Sequence, residues 1–485
     1  TPGYPTPPPT SGGGSKAGLF VVIGVLVVVA GLVVALLAMG GSDDDKAAVR
    51  TSTTTKGAKD DGKVRPRGDT SGVGIIGGTG DDDEVLLANA IVELESYWKT
   101  TMPEVFGTAY QPVAGGFYSA SPGEDLPPCA QSGDDIAGNA FYCPSKDVVA
   151  WDDTSLVPDL REKYDDLAVA VVMAHEWGHA VQARVEFTGA TVTVEHQADC
   201  YAGAWVGHIS GTEGSSFRVT ARSVDSALAG FLELADTPGT SATDPTAHGS
   251  AFDRVNGFVD GIEGGAAKCA TYTDDNITLV ELPFTDQGDL ERGGNLPYEG
   301  SPDLAIADLE DFWSKVATEQ GTTWTPLAPA KPFDGAGGES PACGTDDTSG
   351  YRLFYCSSER YIAYDDTDVM PTVHDGLGDF ATATLLATQY GLAVQDQFGT
   401  LGDDPKAQNL GADCLAGAWA ASVFLENRPD TATLTLSPGD LDEAVKALLM
   451  FSSSTSEDNP EQGAGFERVD SFRKGVLGGV DGCSA

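Results

Sequence analysis

The chain has 485 residues, 41% of them apolar, which suffices for two ordinary domains with tails and excludes a wholly disordered protein. Its 73 acidic residues against 28 basic ones give a formal charge of −45, which repels phosphate backbones and excludes nucleic acid as a partner. A surface of this sign fits solubility outside the cell or a salty habitat and says little about substrate.

Residues 1–16, TPGYPTPPPTSGGGSK, cannot bury a core and are expected to form a flexible tail. The uncharged run at 17–39, AGLFVVIGVLVVVAGLVVALLAM, has the length of a bilayer-crossing helix and is read as a single transmembrane span. A cleaved signal peptide is the competing reading, although its apolar stretch would be shorter, about 7–15 residues. Residues 40–82, rich in Asp, Lys, Thr and Gly, read as a disordered linker. Lys16 before the span and Lys46, Arg50, Lys56 and Lys59 after it would by themselves place the later part inside. The cysteines overrule that count. All eight lie beyond the span, and disulfides persist only in oxidising compartments. The expected location is therefore the cell membrane, single-pass, with the C-terminal domains extracytoplasmic.

From about residue 83 the sequence repeats with a period of about 214 residues. ELESYW (93–98) matches DLEDFW (308–313), and FYCPSKDVVAWDD (141–153) matches FYCSSERYIAYDD (354–366). HQADCYAGAW (196–205) pairs with LGADCLAGAW (410–419), and FDRVNGFVDGIEGGAAKC (252–269) with FERVDSFRKGVLGGVDGC (466–483). Two domains follow, at 83–275 and 276–485. Each copy holds four cysteines in register. Cys129 and Cys143 flank a short polar loop, which suggests the pairs Cys129–Cys143 and Cys200–Cys269, and in the second copy Cys343–Cys356 and Cys414–Cys483. Four cysteines allow three connectivities, so the other two stay open.

In the first copy a strand is predicted at 147–151, a long helix at 159–186 and, after a loop containing Gly189, a second helix at 195–209. The first helix carries His175-Glu176-Trp177-Gly178-His179, an HExxH motif. Histidines four apart on a helix share a face and can present both imidazoles to one zinc ion. Glu176 then stands beside the metal, where a carboxylate can take a proton from water. A catalytic zinc also needs a third protein ligand and an open position. Glu195, at the start of the next helix, is the candidate. His196 is its rival but points about 100° away. Asp199, one turn beyond Glu195, is placed to accept a hydrogen bond from a ligating histidine.

The second copy is an internal control. Aligning AHEWGHAVQ (174–182) with ATQYGLAVQ (387–395) puts Thr388, Gln389 and Leu392 where His175, Glu176 and His179 stand. Asn409 replaces Glu195 and Gln462 replaces His248, while Asp199 is kept as Asp413. Loss alongside the metal ligands singles out His248 as a donor to the oxyanion formed when water attacks a carbonyl. Retention of Asp413 gives Asp199 at least a structural role.

HEWGHAVQ, EHQADCYAGAW and HGSAFDRVNGFVDGI resemble the neutral zinc metallopeptidase family of bacterial membrane-anchored proteins, over about 85–275. The resemblance implies a zincin-like domain with His175 and His179 as ligands, Glu176 as base and Glu195 as third ligand, here duplicated with a degenerate, metal-less second copy. The expected fold is α+β and mainly helical: two tandem zincin-like domains after a single transmembrane helix. The expected activity is zinc-dependent hydrolysis of a peptide or protein substrate, with one Zn2+ in the first domain. A non-catalytic envelope scaffold with a structural zinc, and hydrolysis of a non-peptide amide, are the alternatives. For the second copy a lid, a substrate-docking unit, a surface for envelope proteins and a dimer-like partner all stay open. The strand at 148–151 is expected to take substrate as an added strand.

Overall fold

The computed structural model describes residues 69–483 except 124, 243, 245, 246, 281, 283, 338, 339, 425–433 and 453–461. Its first half runs β1 (Ile75–Ile76), α1 (Asp82–Phe106), β2 (Gly116–Ala120), β3 (Ala140–Cys143), β4 (Val148–Asp152), α2 (Leu156–Lys163), α3 (Asp166–Val185), α4 (Thr191–Ser210), α5 (Ala221–Leu232) and α6 (Ala251–Cys269). After the short α7 (Gln287–Glu291), the second half repeats the order. It contains α8 (Ser301–Glu319), β5 (Lys331–Phe333), β6 (Leu353–Cys356), β7 (Tyr361–Asp365), α9 (Val369–Leu377), α10 (Asp379–Phe398), α11 (Pro405–Phe424), α12 (Asp440–Met450) and α13 (Gly465–Gly478).

The sheets share a topology. In the order β1-β2-β4-β3, β2 is parallel and β3 antiparallel to β4, and β5-β7-β6 repeats this without a counterpart of β1. β4 lies between two strands and has no free edge, so it cannot accept substrate as an added strand; β3 is the edge. The single helix expected over 159–186 is two, α2 and α3. Asp165 breaks it because its carboxylate accepts the Leu167 and Ala168 N–H groups and so starts a new helix.

α3 is buried almost all round from Leu167 to Gly178, as expected of a helix apolar on every face. Gly178 permits this, because a Cβ there would stand 2.7 Å from the Ala198 Cα on α4. Disulfides join Cys129–Cys143, Cys200–Cys269, Cys343–Cys356 and Cys414–Cys483, so α4 is tied to the end of α6 and α11 to the turn after α13.

The halves are not independent. Most of their buried apolar residues form one continuous core, apart from a small cluster around Cys343 and Cys356, and each caps the other's last helix. Asp442 on α12 accepts the Phe252 N–H at the start of α6 (2.9 Å). Asp225 on α5 accepts the Gly465 and Phe466 N–H groups at the start of α13 (2.6 and 2.7 Å). Arg473 on α13 also donates to Asn256 and Asp260 on α6.

The segment 17–39 lies outside the described residues, and among those described no helix is long and apolar enough to cross a membrane. The described residues correct the expected fold class to mainly helical α+β with no transmembrane helix among them, and they do not support single-pass membrane anchoring. Four disulfides still point to an oxidising, extracytoplasmic setting.

Candidate metal centre

The one-turn spacing on α3 and the crossing of α4 bring His175, His179 and Glu195 together, with one ligand atom from each lying within 4.8 Å of the others. The Nε2 atoms of the two histidines are 3.1 Å apart. Glu195 reaches both, with Oε2 at 3.2 Å from His175 Nε2 and Oε1 at 3.4 Å from His179 Nε2.

What the far ring nitrogens do decides how these atoms behave. His175 Nδ1 lies 2.6 Å from Asp199 Oδ1. Asp199 is buried but receives Arg254 Nε (3.1 Å) and Nη2 (3.0 Å), and an ionised carboxylate can only accept. Burial raises the Asp199 pKa, but Arg254 and His175 outweigh it and hold the carboxyl below its ordinary value. His175 Nδ1 therefore carries a proton. His179 Nδ1 lies 2.9 Å from Gln182 Oε1. The Gln182 amide is oriented by donating Nε2–H to Val194 O (2.6 Å) and Gln197 Oε1 (3.1 Å), so its oxygen faces the ring and His179 Nδ1 also donates.

Each ring thus keeps its Nδ1 proton on the far side, and the two Nε2 atoms converge on each other and on a carboxylate. Such a convergence is stable only around a positive charge, a proton on one ring or a metal ion. The electrostatics agree. Burial lowers the His175 pKa, yet Asp199 and Glu195 override it and raise it to about 10. At His179 burial is likewise overridden by Glu195. Glu195 Oε2 is buried without a hydrogen-bond partner. Two imidazoles and one carboxylate form a donor set that zinc takes, with a fourth position left over.

Glu176 is buried beside the histidines, and its Oε2 accepts the Tyr142 N–H of the edge strand β3 at 2.7 Å. Burial raises its pKa, with His175 and His179 opposing and Glu195 adding to the rise.

The rival ligand His196 turns away. It stacks on Tyr272 with centroids 5.2 Å apart, and burial pushes its pKa down to about 4. His248 is half-exposed, with its backbone N–H on Asp236 Oδ2 (2.8 Å) and Nδ1 3.7 Å from Asp236 Oδ1. A Cβ on its neighbour Gly249 would stand 3.4 Å from Val192 Cγ1, which sets the loop beside the start of the helix that carries Glu195. Gln182 and Arg254 escape the sequence reading. Both recur in the second copy as Gln395 and Arg468, so comparison of the copies marks them as scaffold. The helical positions of Gln182 and His179, three residues apart, were the available signal.

In the second half the same positions hold no such set. Thr388 Oγ1 donates to Leu385 O (2.8 Å), Gln389 Nε2 to Thr388 Oγ1 (3.2 Å) and Asn409 Nδ2 to Pro405 O (3.0 Å).

Two histidines and a glutamate converging in a helical scaffold beside a small sheet make an arrangement suited to one divalent metal ion. The chain belongs to the family described as "Putative neutral zinc metallopeptidase", whose model matches residues 8–272. It is 29% identical over 167 residues to the uncharacterized protein YpfJ of Escherichia coli K12, covering 29% of this chain and 56% of that protein. It is 30% identical over 161 residues to the uncharacterized protein Rv2575 of Mycobacterium tuberculosis H37Rv, covering 27% and 55%. The chain thus spans about half the length of the curated relatives it matches. No solved structure matches it.

Proposed function

We propose that the first copy, 83–275, is a zinc-dependent peptidase that His175, His179 and Glu195 equip with one metal ion and Glu176 with a base. The observation that carries this reading is the pair of Nε2 atoms 3.1 Å apart beside the Glu195 carboxylate, with one Nδ1 on Asp199 and the other on Gln182. When bound, zinc supplies a Lewis acid that polarises the scissile carbonyl and makes water acidic.

The remaining work falls to side chains. Glu176, whose pKa burial has raised, takes the proton of the attacking water and passes it to the leaving amine. The Tyr142 N–H holds one oxygen of Glu176 and so fixes where the other points. Arg254 keeps Asp199 ionised, and Asp199 holds the His175 tautomer. His248, on the loop beside α4, is assigned as donor to the developing oxyanion.

A purely structural zinc is disfavoured because α10 and α11 form the same helix pair with Thr388 and Leu392 at the ligand positions. The test is hydrolysis of an unstructured protein by the purified chain, compared with Glu176→Gln at equal zinc content. Loss of cleavage with zinc retained is expected. Undiminished cleavage by the variant, or a wild-type chain that never takes up one zinc, would overturn the reading.

A further inference from the structure

The second half lacks the histidine centre but brings together another group. One carboxylate oxygen from each of Asp379, Asp440 and Glu443 lies within 4.8 Å of the others, and all three residues are more than nine-tenths buried. Three carboxylates packed this closely repel strongly in a buried setting, and His374 opposes this at Asp379.

Part of the cluster has an ordinary task. Glu443 Oε2 accepts the Phe380 N–H (2.9 Å) at the start of α10, the place that Asp165 fills by its own side chain at the start of α3. Gly378 stands where Asp165 would be, with φ +127, and a Cβ there would collide with the Glu443 carboxylate. Asp440 Oδ2 accepts the Ser437 N–H (2.8 Å). The Leu296 and Ala381 N–H groups also reach Asp379 and Glu443, which leaves two oxygens without such a task. Asp379 Oδ1 and Asp440 Oδ1 are buried and accept no hydrogen bond. Burial first, and then the neighbouring carboxylates, push Asp440 and Glu443 well above the ordinary carboxyl range. Unpaired, buried carboxylate oxygens that face one another form a site for a hard cation, because such ions take oxygen ligands and cancel the charge that burial penalises.

We propose that Asp379, Asp440 and Glu443 form a calcium site in the second half, separate from the histidine centre. Calcium suits it better than magnesium, which keeps several waters and demands near-octahedral geometry, because three buried carboxylates on two helix starts supply the flexible oxygen set that calcium takes. The counterparts of these residues in the first copy are Asp166, Ser223 and Ser226, so only the second copy holds three acids.

The position gives the ion a consequence. Asp440 and Glu443 begin α12, whose Asp442 caps α6 of the first half. A Cβ on Gly439, the residue before α12, would stand 2.9 Å from Pro238, in the stretch that leads from Asp236 toward His248. Calcium therefore fixes the helix through which the second half meets the stretch leading to His248.

The experiment is calorimetric titration of calcium chloride into the full chain preloaded with one equivalent of zinc, with melting temperature read alongside. One calcium per chain and a raised melting temperature are expected, with magnesium at the same concentration giving neither. Asp440→Asn and Asp379→Asn, which keep shape and remove charge, should lose the binding and make melting indifferent to calcium. The same titration of a His175→Ala/His179→Ala chain should still show one calcium, which separates this site from the zinc centre and decides the matter even where an acidic-site variant does not fold. No calcium uptake by the wild type, uptake lost with the histidines, or magnesium binding as tightly would each overturn the proposal.

Discussion

Helices α3 and α10 are both 20 residues long, and each presses a glycine against the following helix, Gly178 on Ala198 and Gly391 on Ala412. Beneath each lies a buried aspartate–arginine pair, Asp199–Arg254 and Asp413–Arg468. The two aspartates nevertheless differ. Burial is the largest influence on both, but Arg254 and His175 together bring Asp199 below its ordinary pKa, whereas Arg468 alone leaves Asp413 above it. One histidine separates a carboxylate that orients a candidate ligand from one paired with its arginine alone. Duplication here has kept the frame and exchanged its contents.

The largest effect that would break this comparison is at Glu176. Glu176→Gln should lower peptide hydrolysis by about 10^2–10^4-fold while zinc stays at one per chain by metal analysis. The corresponding change at Gln389 to Ala should leave turnover within error. Equal losses at the two positions would mean that the second half takes part in the chemistry. His175→Ala should abolish zinc uptake by the whole chain, since no second set of histidine ligands exists among the described residues.

Next comes the aspartate pair. Asp199→Asn should weaken zinc binding by about 10–100-fold, measured by competition with a chromophoric chelator, because the His175 tautomer loses its anchor. Asp413→Asn should leave zinc affinity unchanged. Both variants leave a buried arginine short of charge and should lower the melting temperature. A drop in zinc affinity for both would show that the aspartate acts through overall stability rather than through His175.

The candidate centre of the first half was legible because it is local. His175, Glu176 and His179 share one helix, and a four-residue spacing fixes a common face whatever the tertiary fold. Glu195 and Asp199 were legible one level up, as positions one turn apart on the next helix. Gln182 and Arg254 were hidden by the very comparison that proposed His248: both halves keep them, so loss could not mark them. The strand at β4 was found, but its neighbours were not, since sheet order depends on contacts far apart in sequence; the strand expected to take substrate is an internal one. The acidic cluster joins residues 379 and 440, too distant to read as a motif. The same holds for caps that cross between halves.

Those caps give the smallest and most symmetric test. Asp442 receives Phe252 N–H at the start of α6, and Asp225 receives Gly465 and Phe466 N–H at the start of α13, so corresponding helices exchange the same service. Asp442→Ala and Asp225→Ala should each cost about 1 kcal/mol in chemical denaturation, the usual worth of a helix cap. If the halves behave as one cooperative unit, as their continuous core implies, either variant should shift a single transition without splitting it. Only Asp442→Ala should also change the kinetic constants for peptide, because α6 follows directly on the loop of His248 whereas α13 leads to no catalytic group. Two separated transitions in the Asp225→Ala denaturation curve would show instead that each half folds alone and that the exchanged caps hold together two finished domains.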